Sequence, residues 1–314
     1  MRCGHGLQGQ EEGSIKPPHL VNGCAFAALR AVTARPRRRI MSRFAVRSRI
    51  RRVSQPSPVS VVFAAQSVAG QVRTHNEDAL ICRPDLGLWA LADGMGGHER
   101  GEVASALALD VLVEALLSGA QLVAAVQAAH EAIAAAAQPG VGEAGMGSTL
   151  VAARLDGDEF ELAWVGDSRA YRIGSEHIEQ LSHDHSWVQA MVDAGQMSAE
   201  EAREHPRRNL ILQCLGQAGQ APEVGLLRAR LAPDELLLLC SDGLTGELED
   251  AAIQRCCAEA ATLEAMVEQL VGLANSHGGR DNISCIVLGL GPNASPREAP
   301  TPGLLRKLFK SLQP

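Results

Sequence analysis

From Ser60 onward the chain alternates short apolar runs with longer stretches of helical spacing, whereas residues 1–55 hold no period of either kind. Residues 61–65 and 87–92 read as strands, the second feeding directly into Asp93. Over 101–117, Val103, Leu107, Leu109, Val111 and Leu112 recur at helical spacing among small residues. Residues 121–137 predict a second, Ala-rich helix, closed by Pro139-Gly140. A meander of strands follows at 148–154, 159–165, 168–173 and 177–180, joined by Asp-Gly-Asp, Gly-Asp and Gly-Ser turns. Residues 184–209 turn polar and helical. Strands return at 222–230, 235–240 and 283–290, with a helix at 261–276 before the last. Helix pairs set between antiparallel strand groups predict an α+β fold built in layers, not a parallel βαβ sheet.

Charge divides the chain further. The net charge is −7, but residues 1–55 alone carry +10, 291–314 carry +3, and 56–290 carry −20. The chain therefore reads as three parts: a basic, disordered extension (1–55), an acidic folded domain (56–290), and a Pro-containing linker with a tail (291–314). Pro17-Pro18 and the run Arg35 to Arg39 break any helix in the first part, and Met41 offers an alternative start that would leave 1–40 untranslated. In the tail, Leu304, Leu305, Leu308, Phe309 and Leu312 make an apolar stripe beside Arg306, Lys307 and Lys310, a short basic amphipathic helix. An acidic body argues against binding nucleic acid. Eight cysteines without a Cys-x-x-Cys pair fit reduced core thiols in a cytoplasmic protein. No apolar run reaches the ~18–20 residues of a membrane span.

Candidate chemistry concentrates in four acidic clusters. These are Arg73-Thr-His-Asn-Glu-Asp78, Leu91-Ala-Asp-Gly-Met-Gly-Gly-His98, Cys240-Ser-Asp-Gly243 and Gly279-Arg-Asp-Asn282. Each sets a carboxylate at the end of a strand-like run, and four such ends meeting would form a carboxylate cage for hard divalent cations, which prefer oxygen ligands. Taken singly, an Asp-Gly pair is an ordinary turn. No cluster has zinc spacing; His183 and His185 merely flank Asp184 in a turn. Arg73 is a natural bidentate partner for phosphate.

In this arrangement the chain resembles the PPM (type 2C) family of metal-dependent Ser/Thr protein phosphatases, in its bacterial single-domain form. The likeness covers about 60–290. Besides the four clusters it rests on Gly147-Ser-Thr149, Val165-Gly-Asp-Ser-Arg169 and Asp184-His-Ser186, all in the family's order. It implies a four-layer α-β-β-α sandwich, a central antiparallel β-sandwich flanked by helix pairs. It implies two Mn²⁺ or Mg²⁺ ions, bridged by Asp93. Asp242 and Asp281 would complete one, Glu77 and the Gly94 carbonyl the other. Asp167 with Asp242 would hold a third, weaker ion. Asp78 and Asn282 would support these ligands, Arg73 would hold the substrate phosphate, and 184–209 would form a flap that influences substrate choice. The implied reaction is hydrolysis of phosphoserine and phosphothreonine on proteins by a hydroxide bridging the metals, opposing a bacterial Ser/Thr kinase in signal transduction, by a monomer.

One position departs from the wider family. Eukaryotic relatives place a His after the bridging Asp-Gly as a proton donor, and this chain has Met95. A metal-bound water is the preferred source of that proton, with His75 and His98 as alternatives. Two other functions compete: a phosphatase dedicated to a regulatory switch protein, and a non-catalytic scaffold on the same fold. Filled ligand positions disfavour the scaffold.

Overall fold

The computed structural model describes residues 60–96, 100–137, 145–217 and 219–291. The basic extension with Met41, the tail helix at 304–312, the Pro139-Gly140 stop and His98 lie outside the described residues.

Two antiparallel sheets form the centre. One has the order β1-β11-β10-β7-β8, from β1 (Val61–Val68), β7 (Arg169–Ile173), β8 (Ile178–Gln180), β10 (Leu236–Cys240) and β11 (Ile283–Leu290). The other has the order β2-β3-β5-β6-β9, from β2 (Asp78–Arg83), β3 (Leu88–Met95), β5 (Leu150–Asp156), β6 (Glu159–Val165) and β9 (Gly225–Arg230). The two-residue β4 (Gly147–Ser148) pairs with the far end of β3. Helices α1 (Arg100–Leu117) and α2 (Leu122–Ala136) cover the second sheet; α6 (Asp250–Glu259) and α7 (Leu263–His277) cover the first.

The apolar runs are continuous because both faces of each sheet are buried. In β10, Leu236, Leu238 and Cys240 pack under α6 and α7, while Leu237 and Leu239 face the opposite sheet. In β3, Leu88, Ala90 and Ala92 pack under α1 and α2, while Trp89 and Leu91 point into the inter-sheet core, where Phe63 meets the Trp89 ring edge-on at 5.8 Å. This period of two sorts side chains into three cores. Ala104, Ser105 and Ala108 are fully buried on α1, so the helix lies close on its sheet. The layered α-β-β-α architecture expected from the sequence is present.

Four elements differ from the sequence reading. Residues 78–83 form the edge strand β2, which the sequence pattern did not reveal, because Asp78 and Arg83 bracket a short apolar stretch. Asp242–Thr245 makes a helical turn, α5, and α6 follows it, where no helix was expected. Asp93 sits within β3 rather than at its end. The polar segment 184–209 contains two short helices, α3 (Trp187–Asp193) and α4 (Ala199–Glu204), capped by Ser186 and by a Ser198–Glu201 capping box. Cys82, Cys214, Cys240, Cys256, Cys257 and Cys285 are free thiols. Among the described residues no helix is long and apolar enough to cross a membrane.

Candidate metal centre and phosphate site

Sheet register brings the acidic clusters to one end of the sandwich. Asp78 and Asp93 stand directly opposite each other on β2 and β3. Cys240 pairs with Cys285 across β10 and β11, so Asp242, just past one strand, and Asp281, just before the other, emerge at the same end. Val68 pairs with Ile283, which returns the Arg73 loop there too. Arg73, Glu77, Asp93, Gly94, Asp242 and Asp281 all line one cavity of about 1010 Å³, with His75 and Met95 on its wall.

The backbone around Asp93 is fixed by β5 and its approach. Its amide donates to Thr149 Oγ1 at 3.1 Å. Its carbonyl accepts from the Thr149 amide at 2.8 Å and from Ser148 Oγ at 3.0 Å. The Gly94 amide donates to the Glu77 carbonyl at 3.1 Å, and Ser105 on α1 donates to the same oxygen at 2.6 Å. Gly94 and Gly101 meet backbone to backbone: a Cβ on Gly94 would collide with the Gly101 carbonyl, and one on Gly101 would lie 2.6 Å from the Glu77 carboxyl carbon. The two glycines seat the start of α1 against the site.

Asn282 binds the loop before β2 to the strand that follows it. Its Oδ1 accepts from the Glu77 amide at 2.8 Å, and its Nδ2 donates to the carbonyls of His75 at 2.8 Å and Ala69 at 3.2 Å. Asp281 Oδ1 accepts the Asn282 amide at 2.8 Å, and Arg73 donates to Asp281 Oδ2 at 2.8 Å. Asp78 is buried; Ser241 donates to its Oδ2 at 2.8 Å, while its Oδ1 has no partner.

So many carboxylates in one place repel one another. Burial first, then the charges of Asp242 and Asp281, push Asp78 up to about 7, against the hydrogen bond from Ser241 that pulls it down. Asp242 is pushed up to about 6, by burial and then by Asp281. Asp93 keeps some exposure to the cavity, yet burial, followed by Asp78, Asp242, Asp167 and Asp281, holds it well above the ordinary range. The strength of this repulsion is what a cation would relieve. Oxygen-only donors, the unpartnered Asp78 Oδ1 and the glycine seat fit hard divalent cations rather than zinc. Among the described residues, however, no three His, Cys, Asp or Glu side chains converge tightly enough to form a ready-made cage. The clusters share a cavity, not yet a single coordination sphere.

Asp167 lies elsewhere, in a neighbouring cavity of about 630 Å³ under α3 and α4, which also reaches Asp242. Its Oδ1 is buried and unpartnered, and burial followed by Asp242 and Asp184 raises its pKa. Beside it Arg169 makes a bidentate pair with Asp184, at 3.0 and 2.7 Å, and donates to Tyr171 at 3.0 Å. The segment 184–209 reaches both cavities: Asp184, Ser186 and Gln189 line the smaller, and Asn209 lines both.

The supporting hydroxyls escaped the sequence reading. Ser148, Thr149 and Ser241 stood in quoted motifs, but nothing in their spacing says which carboxylate or backbone group they hold. Arg100, Leu210 and Ile211, which also line the large cavity, were not singled out. The only signal for Arg100 was its place just after the Gly-Gly-His stretch.

Comparison with known proteins agrees with this geometry. The protein phosphatase 2C family profile matches residues 69–285. The serine/threonine phosphatase stp of Listeria monocytogenes is 34% identical over 232 residues, covering 70% of this chain and 92% of that protein. The serine/threonine protein phosphatase PstP of Mycobacterium tuberculosis is 38% identical over 236 residues, 72% of this chain and 44% of that one. A crystal structure of the PstP catalytic domain with two manganese ions superposes with a TM-score of 0.64 at 34% identity, covering 73% of this chain and 98% of that chain. On sequence, fold and site together, the chain belongs to the protein phosphatase 2C family.

Proposed function

We propose that this chain is a metal-dependent protein serine/threonine phosphatase that hydrolyses phosphoserine and phosphothreonine on proteins. The observation that carries this reading is the gathering of Arg73 with Glu77, Asp93, Asp242 and Asp281 at one cavity. Glu77, Asp93, Asp242, Asp281 and the Gly94 carbonyl are the groups that would hold two Mn²⁺ or Mg²⁺ ions, and Asp167 with Asp242 those that would hold a third. Bound there, such ions activate water near neutral pH and neutralise phosphoryl charge.

The chain's own residues do the rest. Arg73, on the exposed loop, is the one to bind phosphoryl oxygens with its guanidinium fork. Its pair with Asp281 orients that fork toward the cavity. On this reading Asp78 would accept a hydrogen bond through its unpartnered Oδ1, while Ser241 holds the other oxygen. Asn282 holds Glu77 and the Arg73 loop in register. Met95 on the cavity wall has no proton to give the leaving alkoxide, and His75 stands exposed on the same wall.

Phosphoproteins are the substrates on this reading. A cognate bacterial Ser/Thr kinase as the opposed partner, a monomeric state and a cytoplasmic site of action belong to the proposal, as does the division into an extension (1–55), the catalytic domain (56–290) and a tail (291–314). The test is release of phosphate from phosphothreonine peptides. It is expected to vanish with EDTA, to return with Mn²⁺, and to be absent from Asp93→Ala. Release that continues unchanged in Asp93→Ala would refute the reading.

A further inference from the structure

Asp281 sits in a turn, not on a strand. Helix α7 ends at His277, Gly278 and Gly279 adopt φ of 145° and 51°, and β11 begins at Ile283. Residues 278–282 lie beyond the last ladder pair, Val68 with Ile283, so the sheet does not fix them. Two neighbours do.

On one side is the Arg73 loop. The Gln71 amide donates to the Gly279 carbonyl at 2.7 Å. A Cβ on Gly70 would lie 2.2 Å from the Asp281 carbonyl oxygen, so the loop is pressed against the turn.

On the other side is Glu247, in the connection between α5 and α6. The Arg280 amide donates to its Oε1 at 3.0 Å. A glutamate is rarely buried unless paired, and this side chain is only 5% exposed. The Arg280 guanidinium is 61% exposed, with its Nε 3.8 Å from the same oxygen, a long ion pair that solvent screens. The bond from the backbone amide is therefore the stronger contact. Both carboxylate oxygens also lie 3.2 Å from where a Cβ on Gly278 would stand, so Glu247 packs on the turn itself.

Glu247 shares its segment with Asp242. The helical turn α5 starts at Asp242, and the Gly246 amide closes it by donating to the Asp242 carbonyl at 2.6 Å. Gly243 packs directly on the Asp281 turn, since a Cβ there would lie 1.9 Å from the Asn282 carbonyl oxygen. One short element thus presents Asp242 at its start and grips the Asp281 turn just past its end.

We propose that Glu247 is a positioning residue that sets Asp281 against Asp242, and with them the one divalent cation that these two carboxylates would complete. It acts through the Arg280 amide. Glu77 and the Gly94 carbonyl, the groups for the other ion, are tied by Asn282 and Ser105 instead. The inference rests on the metal-dependent reading above. Its test is calorimetric titration of Mn²⁺ into metal-free wild type, Glu247→Ala, Glu247→Gln and Glu247→Asp, with thermal unfolding of each to show that it is folded. Glu247→Ala is expected to weaken one ion by about 10–100-fold, the usual effect of losing a group that orients a ligand, and to leave the other as in the wild type. Glu247→Gln keeps an oxygen that accepts the amide and should restore both ions. Glu247→Asp keeps the charge but is one methylene short, and should behave like Glu247→Ala. The Gln and Asp variants decide the matter even if Glu247→Ala does not fold. Wild-type affinity for both ions in Glu247→Asp, tighter binding by Glu247→Asp than by Glu247→Gln, or equal weakening of both ions in a folded variant would overturn the inference alone. A wild type that binds no Mn²⁺ would overturn the metal-dependent reading and this inference with it.

Discussion

Asn282 shows how much a single amide can hold. It joins Glu77, His75 and Ala69 to the start of β11 through three hydrogen bonds. Each is worth about 1 kcal/mol net, and its loss strands a polar backbone group. Residues that orient a metal ligand typically affect affinity by about 10–100-fold. Asn282→Ala is therefore expected to weaken Mn²⁺ binding by about that factor and to lower stability in urea, both measurable on the same preparation; unchanged affinity would deny Asn282 its positioning role. At this scale the sequence was legible where chemistry is local. Asp93, Asp242 and Asp281 stood out only together, because a single Asp-Gly pair reads as an ordinary turn while several carboxylates at the margins of apolar runs point to one site. Ser241 and Thr149 did not, because a hydroxyl gains meaning only from its partner, and Asp78 and Asp93 lie far from them in sequence.

At the scale of elements, the long runs were readable and the short ones were not. The leucines of β10 and the apolar span of β11 announce buried strands. In contrast, β2 is six residues long with a charge at either end, and α6 buries only Ile253, Cys256 and Cys257 among polar neighbours. Both are made by what they pack against rather than by their own pattern. The junction of β3 with α1 is a sensitive contact between elements, since Gly94 and Gly101 leave no space for a side chain. Gly94→Ala is expected to force α1 away from the sheet at a cost of about 1–3 kcal/mol, and to impair Mn²⁺ binding because Glu77 moves with it. Thermal unfolding with and without Mn²⁺ checks both; a variant with wild-type stability would show that the contact is not tight.

For the whole molecule, three cores hold a rigid sandwich whose one end concentrates like charge. That concentration has a signature in pH. Asp78 in the folded chain titrates at about 7 and Asp242 at about 6, both above an unfolded aspartate near ~3.9. The folded state thus keeps protons that the unfolded state releases. Their contribution to stability is fullest below pH ~3.9 and is lost as pH rises through about 6 to 7. Without metal, the wild type is expected to lose more stability between pH 4 and 7 than Asp78→Asn does (an order-of-magnitude window set by these pKa values). Because cations compete with those protons, the rise in Tm on adding Mn²⁺ should grow with pH over the same window; a constant rise would count against the carboxylates as the binding groups.

The central claim is that Asp93, with Glu77, Asp242 and Asp281, would hold two divalent cations. Calorimetric titration of Mn²⁺ into metal-free protein tests it most directly. The account predicts two tight ions per chain for the wild type and loss of both in Asp93→Ala. Two tight ions retained by Asp93→Ala, or none bound by the wild type, would contradict it.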